Sequence, residues 1–325
     1  MIIKLIHNNK IGAYAFMLLL IILFWIKPLL AGVIVDVASF KNAMPLWNLF
    51  KFTAHSAWLG FVFSLVLAII ITLFVTRFNS RYALLSKQTA LLGFVFILLV
   101  AGVSKVQQFN PSWIACLFLI IGLEFLFQGH NYRKAMRECF LASFWLSVGS
   151  LVSYKVALLF PLVFILMITL RLINIKTFLA ALIGLVLPWL FLLGYALTWG
   201  SIAEYNSYLQ FSWDKIYEVF PHTAVSLGYL ITLAFIFILA LFSVIGAYGT
   251  KKIYTRKQYQ VFIFSALYII GVELISGLNF SLMPMLAVPL SILIAHLIDN
   301  IRSSFWQNTL LIGLAVVTIV GQFLM

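Results

Sequence analysis

The chain has 325 residues, 64% of them apolar and only 9% charged, and its 21 Lys and Arg against 8 Asp and Glu leave a net charge of +13. Soluble domains run near 45–50% apolar and about 25% charged, so this composition excludes a soluble fold with an ordinary polar surface. The basic excess does not point to nucleic acid either. The bases sit in short clusters between long apolar runs, the pattern of loops that obey the positive-inside rule.

A spanning helix needs about 20 mostly apolar residues, and such stretches recur through almost the whole chain. They lack the alternation that the strands of a membrane barrel require. The sequence therefore predicts an all-α, polytopic transmembrane helix bundle that forms a single integral membrane domain over residues 1–325. Its first span follows Lys4, His7 and Lys10 and runs from Ile11 to about Val35, longer than the apolar stretch of a cleaved signal peptide. Further spans are predicted at about 57–76, 82–103, 112–128, 139–153, 156–171, 177–199, 223–248, 260–276, 282–298 and 305–324, about eleven in all. Only Ser153, Tyr154 and Lys155 separate the runs at 139–153 and 156–171, which leaves open a tight hairpin that does not fully cross.

Charge gives the orientation. With the N-terminus in the cytoplasm, 15 of the 21 bases fall on the cytoplasmic side, every arginine among them. The outer side keeps Lys27, Lys41, Lys51, Lys105, Lys155 and Lys215, each a lone lysine. The expected topology is N-terminus cytoplasmic and C-terminus periplasmic, in a bacterial inner membrane. Two outer segments are longer than turns and rich in aromatics, at about 36–56 and 200–222. In the second, Ile202, Tyr205, Leu209, Trp213, Ile216 and Phe220 recur at helical spacing opposite Glu204, Asp214, Lys215 and Glu218. That pattern predicts an amphipathic helix in the outer interface, and an aromatic belt anchoring a loop outweighs a binding site there.

Of the eight carboxylates, Asp36, Glu204, Asp214 and Glu218 face outward, and His55 and His222 stand at the outer starts of spans. Carboxylate and imidazole near one surface suit a divalent metal or acid–base work, and interfacial lysines such as Lys105 and Lys155 suit a phosphate. A solvated loop holds such residues by default, and no fixed ligand spacing is present. Glu273 lies one turn from the outer end of its span, where an ionisable group is a functional candidate; Glu124, one turn inside its own, can snorkel. His130 and His296 read as structural, as do Glu138 and Asp299 at cytoplasmic edges. The cytoplasmic loops hold no glycine-rich phosphate cradle, Walker pattern or HExxH motif, which argues against an ATP-driven machine. Cys116 and Cys139 offer neither a disulfide nor metal-ligand spacing.

Three stretches resemble the membrane glycosyltransferases that use polyprenyl-phosphate sugars, the C superfamily. Asp36-Val37-Ala38-Ser39-Phe40-Lys41-Asn42-Ala43 is similar to that group's first-outer-loop pattern D-E-x-x-Y-x-x-A, with Val37 in place of the second acid and Phe40 in place of the tyrosine. GSLVSYKVALLFPLVFILMITLR resembles its glycine-then-lysine hairpin, with Lys155 in the position of a phosphate-facing lysine. MPMLAVPLSILIA, residues 283–295, resembles its late proline-spaced span, with Leu278-Asn279-Phe280 where a charged partner usually stands. The whole chain also looks like an uncharacterised family of inner-membrane proteins from Bacteroidetes-type bacteria, through Arg77-Phe78-Asn79, Leu84-Leu85-Ser86-Lys87, Asn110-Pro111 and Leu187-Pro188.

The first resemblance implies a sugar transferase of cell-envelope glycan or lipid metabolism, acting at the periplasmic face on a polyprenyl-phosphate-linked sugar. Asp36 would be its base or metal ligand, Lys155 and Lys105 would neutralise the donor phosphate, and His55, His222 and Asp214 would add substrate contacts. Two other readings stay open: a non-catalytic scaffold subunit of an envelope machine, which the missing second acid fits, and a lipid or solute transporter. Transport favours polar groups at the midplane, where the spans hold few.

Overall fold

A computed structural model describes residues 10–31, 44–86, 89–130, 135–210, 216–217 and 223–324. The regular elements among them are all helical. In chain order the main ones are α1 (Lys10–Ala31), α2 (Ala57–Tyr82), α3 (Leu91–Ala101), α4 (Pro111–Gly129), α5 (Met136–Ser150) and α6 (Phe160–Thr169), then α7 (Ile175–Thr198), α8 (Ile202–Leu209), α9 (Ala224–Gly246), α10 (Ile253–Ile275), α11 (Met283–Asn300) and α12 (Ser304–Leu324). Every predicted span falls on a helix, and α8 is the extra one. Among the described residues, α2, α4, α7, α9, α10, α11 and α12 are long and apolar enough to cross a membrane, seven in number.

The predicted span at 82–103 shrinks most. α2 continues to Tyr82 and stops at Ala83, whose φ of 49° is left-handed, and helix resumes only at Leu91. The 11 residues of α3 rise about 16 Å, roughly half of a hydrocarbon core. All of them are buried, so protein rather than lipid surrounds this short helix, the condition under which non-helical backbone is tolerated at membrane depth. Around 150–160, α5 ends at Ser150, a four-residue helical turn covers Tyr154–Ala157, and α6 starts at Phe160. The predicted amphipathic helix at 200–222 is interrupted: α8 ends at Gln210, whose ψ of 117° is extended. Trp213 and Phe220 of that pattern lie outside the described residues.

Local signals set the helix starts. Asn110 caps α4 by accepting from the Ser112 amide at 3.0 Å, with Pro111 in the first turn. Asn174 and Thr177 form a reciprocal capping box at α7, and the Thr223 hydroxyl accepts from the Ser226 amide at α9.

Side-chain contacts sort the turns to two ends of the bundle. At one end Arg81 pairs with Glu124, the Ser86 amide donates to Asp299 at 2.8 Å, and His130 stacks on Tyr254. The Lys251 ammonium lies there too, 5.7 Å from the Tyr259 ring centre; burial pushes it below the usual lysine range, and Asp299 opposes that shift. At the other end the Leu46 amide donates to the Leu151 carbonyl at 3.0 Å, and Trp47, Phe109 and Val152 form a separate small core. Ser104 donates to the Gln322 carbonyl there. The arginine-bearing turns share the first end; Lys105 and Lys155 lie at the second.

α5 packs between α4 and α7 through small residues. A Cβ on Gly184 of α7 would lie 2.5 Å from the Phe140 carbonyl oxygen and 3.0 Å from Ser143 Oγ, and one on Gly122 of α4 would lie 3.1 Å from the Ala142 carbonyl. Without a hydrophobic force between helices in lipid, such close backbone approach is what holds them together. Ser147 Oγ donates to the Leu185 carbonyl at 2.6 Å, next to the Gly184 carbonyl that Pro188 leaves without its helical donor.

Candidate functional site

The lysine-bearing end holds a buried polar cluster assembled from two turns and the end of α10. Lys155 sits on the Tyr154–Ala157 turn, 9% exposed, and its ammonium donates to Ser281 Oγ at 2.8 Å. Burying an ammonium is costly unless it finds partners, so this lysine is held by design of the fold rather than left to water. Tyr268 of α10 fixes the same turn from below, its hydroxyl donating to the Leu158 carbonyl at 2.9 Å.

The second component is Glu273 near the end of α10, 7% exposed. The helix closes with a Schellman arrangement, the Leu278 amide donating to the Glu273 carbonyl at 2.9 Å and the Gly277 amide to the Leu274 carbonyl at 3.3 Å. Gly277 has φ 89°, as that motif requires, but the chain stays unusual beyond it, with Leu278 at φ 53° and Phe280 at φ 60°. For bulky residues these are outliers, and such strain persists only where its surroundings enforce it. The reason lies in the amides. The Leu282 N–H donates to Glu273 Oε2 at 3.2 Å, and the Phe280 and Ser281 amides lie near the same carboxylate. Successive N–H groups in left-handed conformations make an anion-binding nest, and here the anion is the protein's own side chain. Asn279, fully buried, stiffens the turn by accepting from the Ser281 amide at 3.0 Å.

Lys155 and Glu273 belong to one electrostatic unit, since the Lys155 charge acts on the Glu273 carboxylate. Glu273 Oε1 is buried and has no hydrogen-bond partner among the described residues. Two apolar grooves flank the cluster. One, about 550 Å³, runs between α6 and α7 with Tyr208 and Leu209 of α8 at its rim and Tyr154 at its head. The other, about 470 Å³, lies between α9, α10 and α11, and Glu273 and Phe280 line it.

Of the six residues expected to form a site, only two have described side chains. Lys155 enters the cluster. Lys105, half-buried, lies on the neighbouring Ser104–Gln107 turn towards α12. Tyr229 links the two regions, its hydroxyl donating to the Leu99 carbonyl at 3.0 Å and its ring lying 6.4 Å from that of Phe280. His55 ends the Lys51–His55 turn, but its side chain lies outside the described residues, as do Asp36, Asp214 and His222 altogether. Among the described residues no group of three His, Cys, Asp or Glu is placed to hold a metal ion. Glu124, expected to snorkel, pairs with Arg81 at the opposite end.

Sequence reasoning missed Ser281, Asn279 and the way the 277–281 turn folds back over Glu273. A charged partner is absent just before the proline-spaced span, yet Glu273 delivers a carboxylate to Leu282 from nine positions upstream. No glycine marks the left-handed positions 278 and 280, so the only visible signal was an acidic residue inside an apolar run.

The profile of a family of unknown function (DUF6427) matches residues 33–324. The chain belongs to that family. The match covers the segment after α1, the Lys155 turn, Glu273 and the strained 277–281 turn, so the whole cluster is part of the DUF6427 region. No curated protein and no solved structure matches the chain. Membership in DUF6427 supplies no activity, and no similarity to a glycosyltransferase is found.

Proposed function

We propose that this DUF6427 protein is a multi-pass protein of the bacterial inner membrane that acts on a polyprenyl-phosphate-linked sugar at its periplasmic end, as a glycosyltransferase-like protein of cell-envelope glycan or lipid metabolism. The observation that carries this reading is the buried Lys155 ammonium, on a turn whose Tyr154, Ala157 and Leu158 line an apolar groove. A lipid-linked phosphate has an apolar chain to lie in a groove and an anion to meet a cation at its head. Lysine holds a phosphate as a point charge, and in a poorly hydrated site it stabilises charge developing on a leaving phosphate.

Asp36 is the proposed base or metal ligand. It stands eight residues before Met44, and two residues past Met44 the chain is tied by Leu46 to Leu151, four residues from Lys155. That tether supports a shared site at one end of the bundle. Lys105, His55, His222 and Asp214 are proposed as further contacts with the substrate.

Replacing Asp36 by Asn and Lys155 by Ala, singly, is expected to change the envelope glycan or lipid A profile of cells that depend on this protein. Unchanged profiles at normal protein levels would exclude the transferase reading and favour a scaffold subunit.

A further inference from the structure

Pro188 divides α7 into two parts that are held very differently. Inward of it the helix is fixed: Thr177, Ala181, Gly184 and Leu185 are buried, Gly184 lies against the Phe140 backbone, and Ser147 Oγ donates to the Leu185 carbonyl at 2.6 Å. Outward of it only Ala196 is buried. Gly194 has open space where a Cβ would stand, and Phe191, Tyr195, Leu197 and Trp199 are each more than half exposed. The cause is the length of the neighbour. α5 ends at Ser150, which Trp189 touches, so the last turns of α7 run on without it.

The boundary has the parts of a hinge and a latch. Pro188 has no N–H, which leaves the Gly184 carbonyl without its helical donor, and prolines are where helices bend sharply. Among the described residues one hydrogen bond ties the outer part back to α5, from Trp189 Nε1 to Ser150 Oγ at 3.1 Å. The corner into α8 is tight, because the Trp199 and Gly200 amides both donate to the Tyr195 carbonyl, at 2.9 and 3.1 Å, and α8 packs on α7. α8 then sets Tyr208 and Leu209 at the rim of the 550 Å³ groove, with Tyr154, Leu158 and Phe164 on its α6 side. We propose that the outer end of α7 and α8 move together as a lever about Pro188, latched by the Trp189–Ser150 bond, and that its swing opens and closes the mouth of the groove between α6 and α7. A few residues absorbing the change while a packed unit moves as a body is the ordinary form of hinge motion. The device stands whatever chain enters the groove, and so without the transferase reading.

The experiment measures distances between paired spin labels on the full-length protein in detergent, with the buried Cys116 and Cys139 replaced by alanine. Ile168 on α6 is labelled with Ile202 on α8, and as a control with Ile183 on the inner part of α7; all three are exposed. The ten residues from Trp189 to Thr198 rise about 15 Å, so a bend of about 20° at the proline carries the tip about 5 Å. The 168–202 pair is expected to show a second distance about 5 Å longer than the main one, and Trp189→Phe to raise its share about fivefold, the scale of one hydrogen bond, with the 168–183 pair unchanged. A 168–202 distribution that Trp189→Phe leaves as it was would overturn the proposal. Equal changes in both pairs would overturn the placing of the hinge at Pro188. Ser150→Ala removes the same bond from the α5 side, so a Trp189→Phe chain that failed to fold would leave the proposal decidable. No phosphate or sugar is present, so a failure here is separate from a failure of the transferase reading.

Discussion

Arg171 ends α6 with φ 56°, its amide bonded to the Ile168 carbonyl and the next amide, of Leu172, to the Met167 carbonyl. That is the position where glycine is ordinarily found. A left-handed backbone costs an L-residue roughly 1–2 kcal/mol, and glycine loses part of that gain, about 0.5–1 kcal/mol, to its freer unfolded chain. Arg171 is exposed, so Arg171→Gly is expected to stabilise the protein by about 1 kcal/mol, read as a raised midpoint of thermal unfolding in detergent. A lowered midpoint would show that the guanidinium contributes more than the backbone strain removes. Leu278 and Phe280 share this backbone conformation but not this expectation, because their strain is tied to the amides that hold Glu273.

Helix α5 contacts α4 on one side and α7 on the other through Gly122 and Gly184. The alanine side chain of Gly184→Ala would meet backbone, the Phe140 carbonyl oxygen and the Phe144 amide, which cannot rotate away. Overpacking of this kind typically costs about 1–3 kcal/mol. Gly184→Ala is expected to lower the unfolding midpoint, whereas Gly194→Ala, with open space around the same helix's Gly194, is expected to leave it within error or raise it. Equal effects from the two would show that the α5–α7 approach is looser than this geometry. Of the amphipathic run after α7, the described residues include α8, with Ile202 and Leu209 half exposed; periodicity alone did not reveal the extended backbone at Gln210.

The turns of the bundle divide into an arginine-bearing end and a lysine-bearing end, and the positive-inside rule assigns the first to the cytoplasm. Reporter fusions in the 129–138 turn are therefore expected to read as cytoplasmic, and fusions following residue 324 as periplasmic. The reverse pattern would move the Lys155–Glu273 cluster to the cytoplasmic face and remove the periplasmic substrate from consideration. α3, buried throughout, occupies the interior that the longer helices enclose.

Apolar composition and the placing of the bases made the helical membrane class legible before any coordinates, because a backbone in hydrocarbon has to bond to itself and helices do so within one segment. Lys155 was legible as a candidate too, as a lone cation beside an apolar run. Its partner was not, since Ser281 lies 126 positions away and periodicity reports only neighbours along one helix. Nor was the length of α3 visible, because apolar sequence looks alike whether lipid or protein surrounds it. The fold alone brings the Glu273 carboxylate under the amides of a left-handed turn and near Lys155: such an arrangement depends on two turns and the end of α10 meeting at one end of the bundle, a long-range packing outcome that no local pattern encodes.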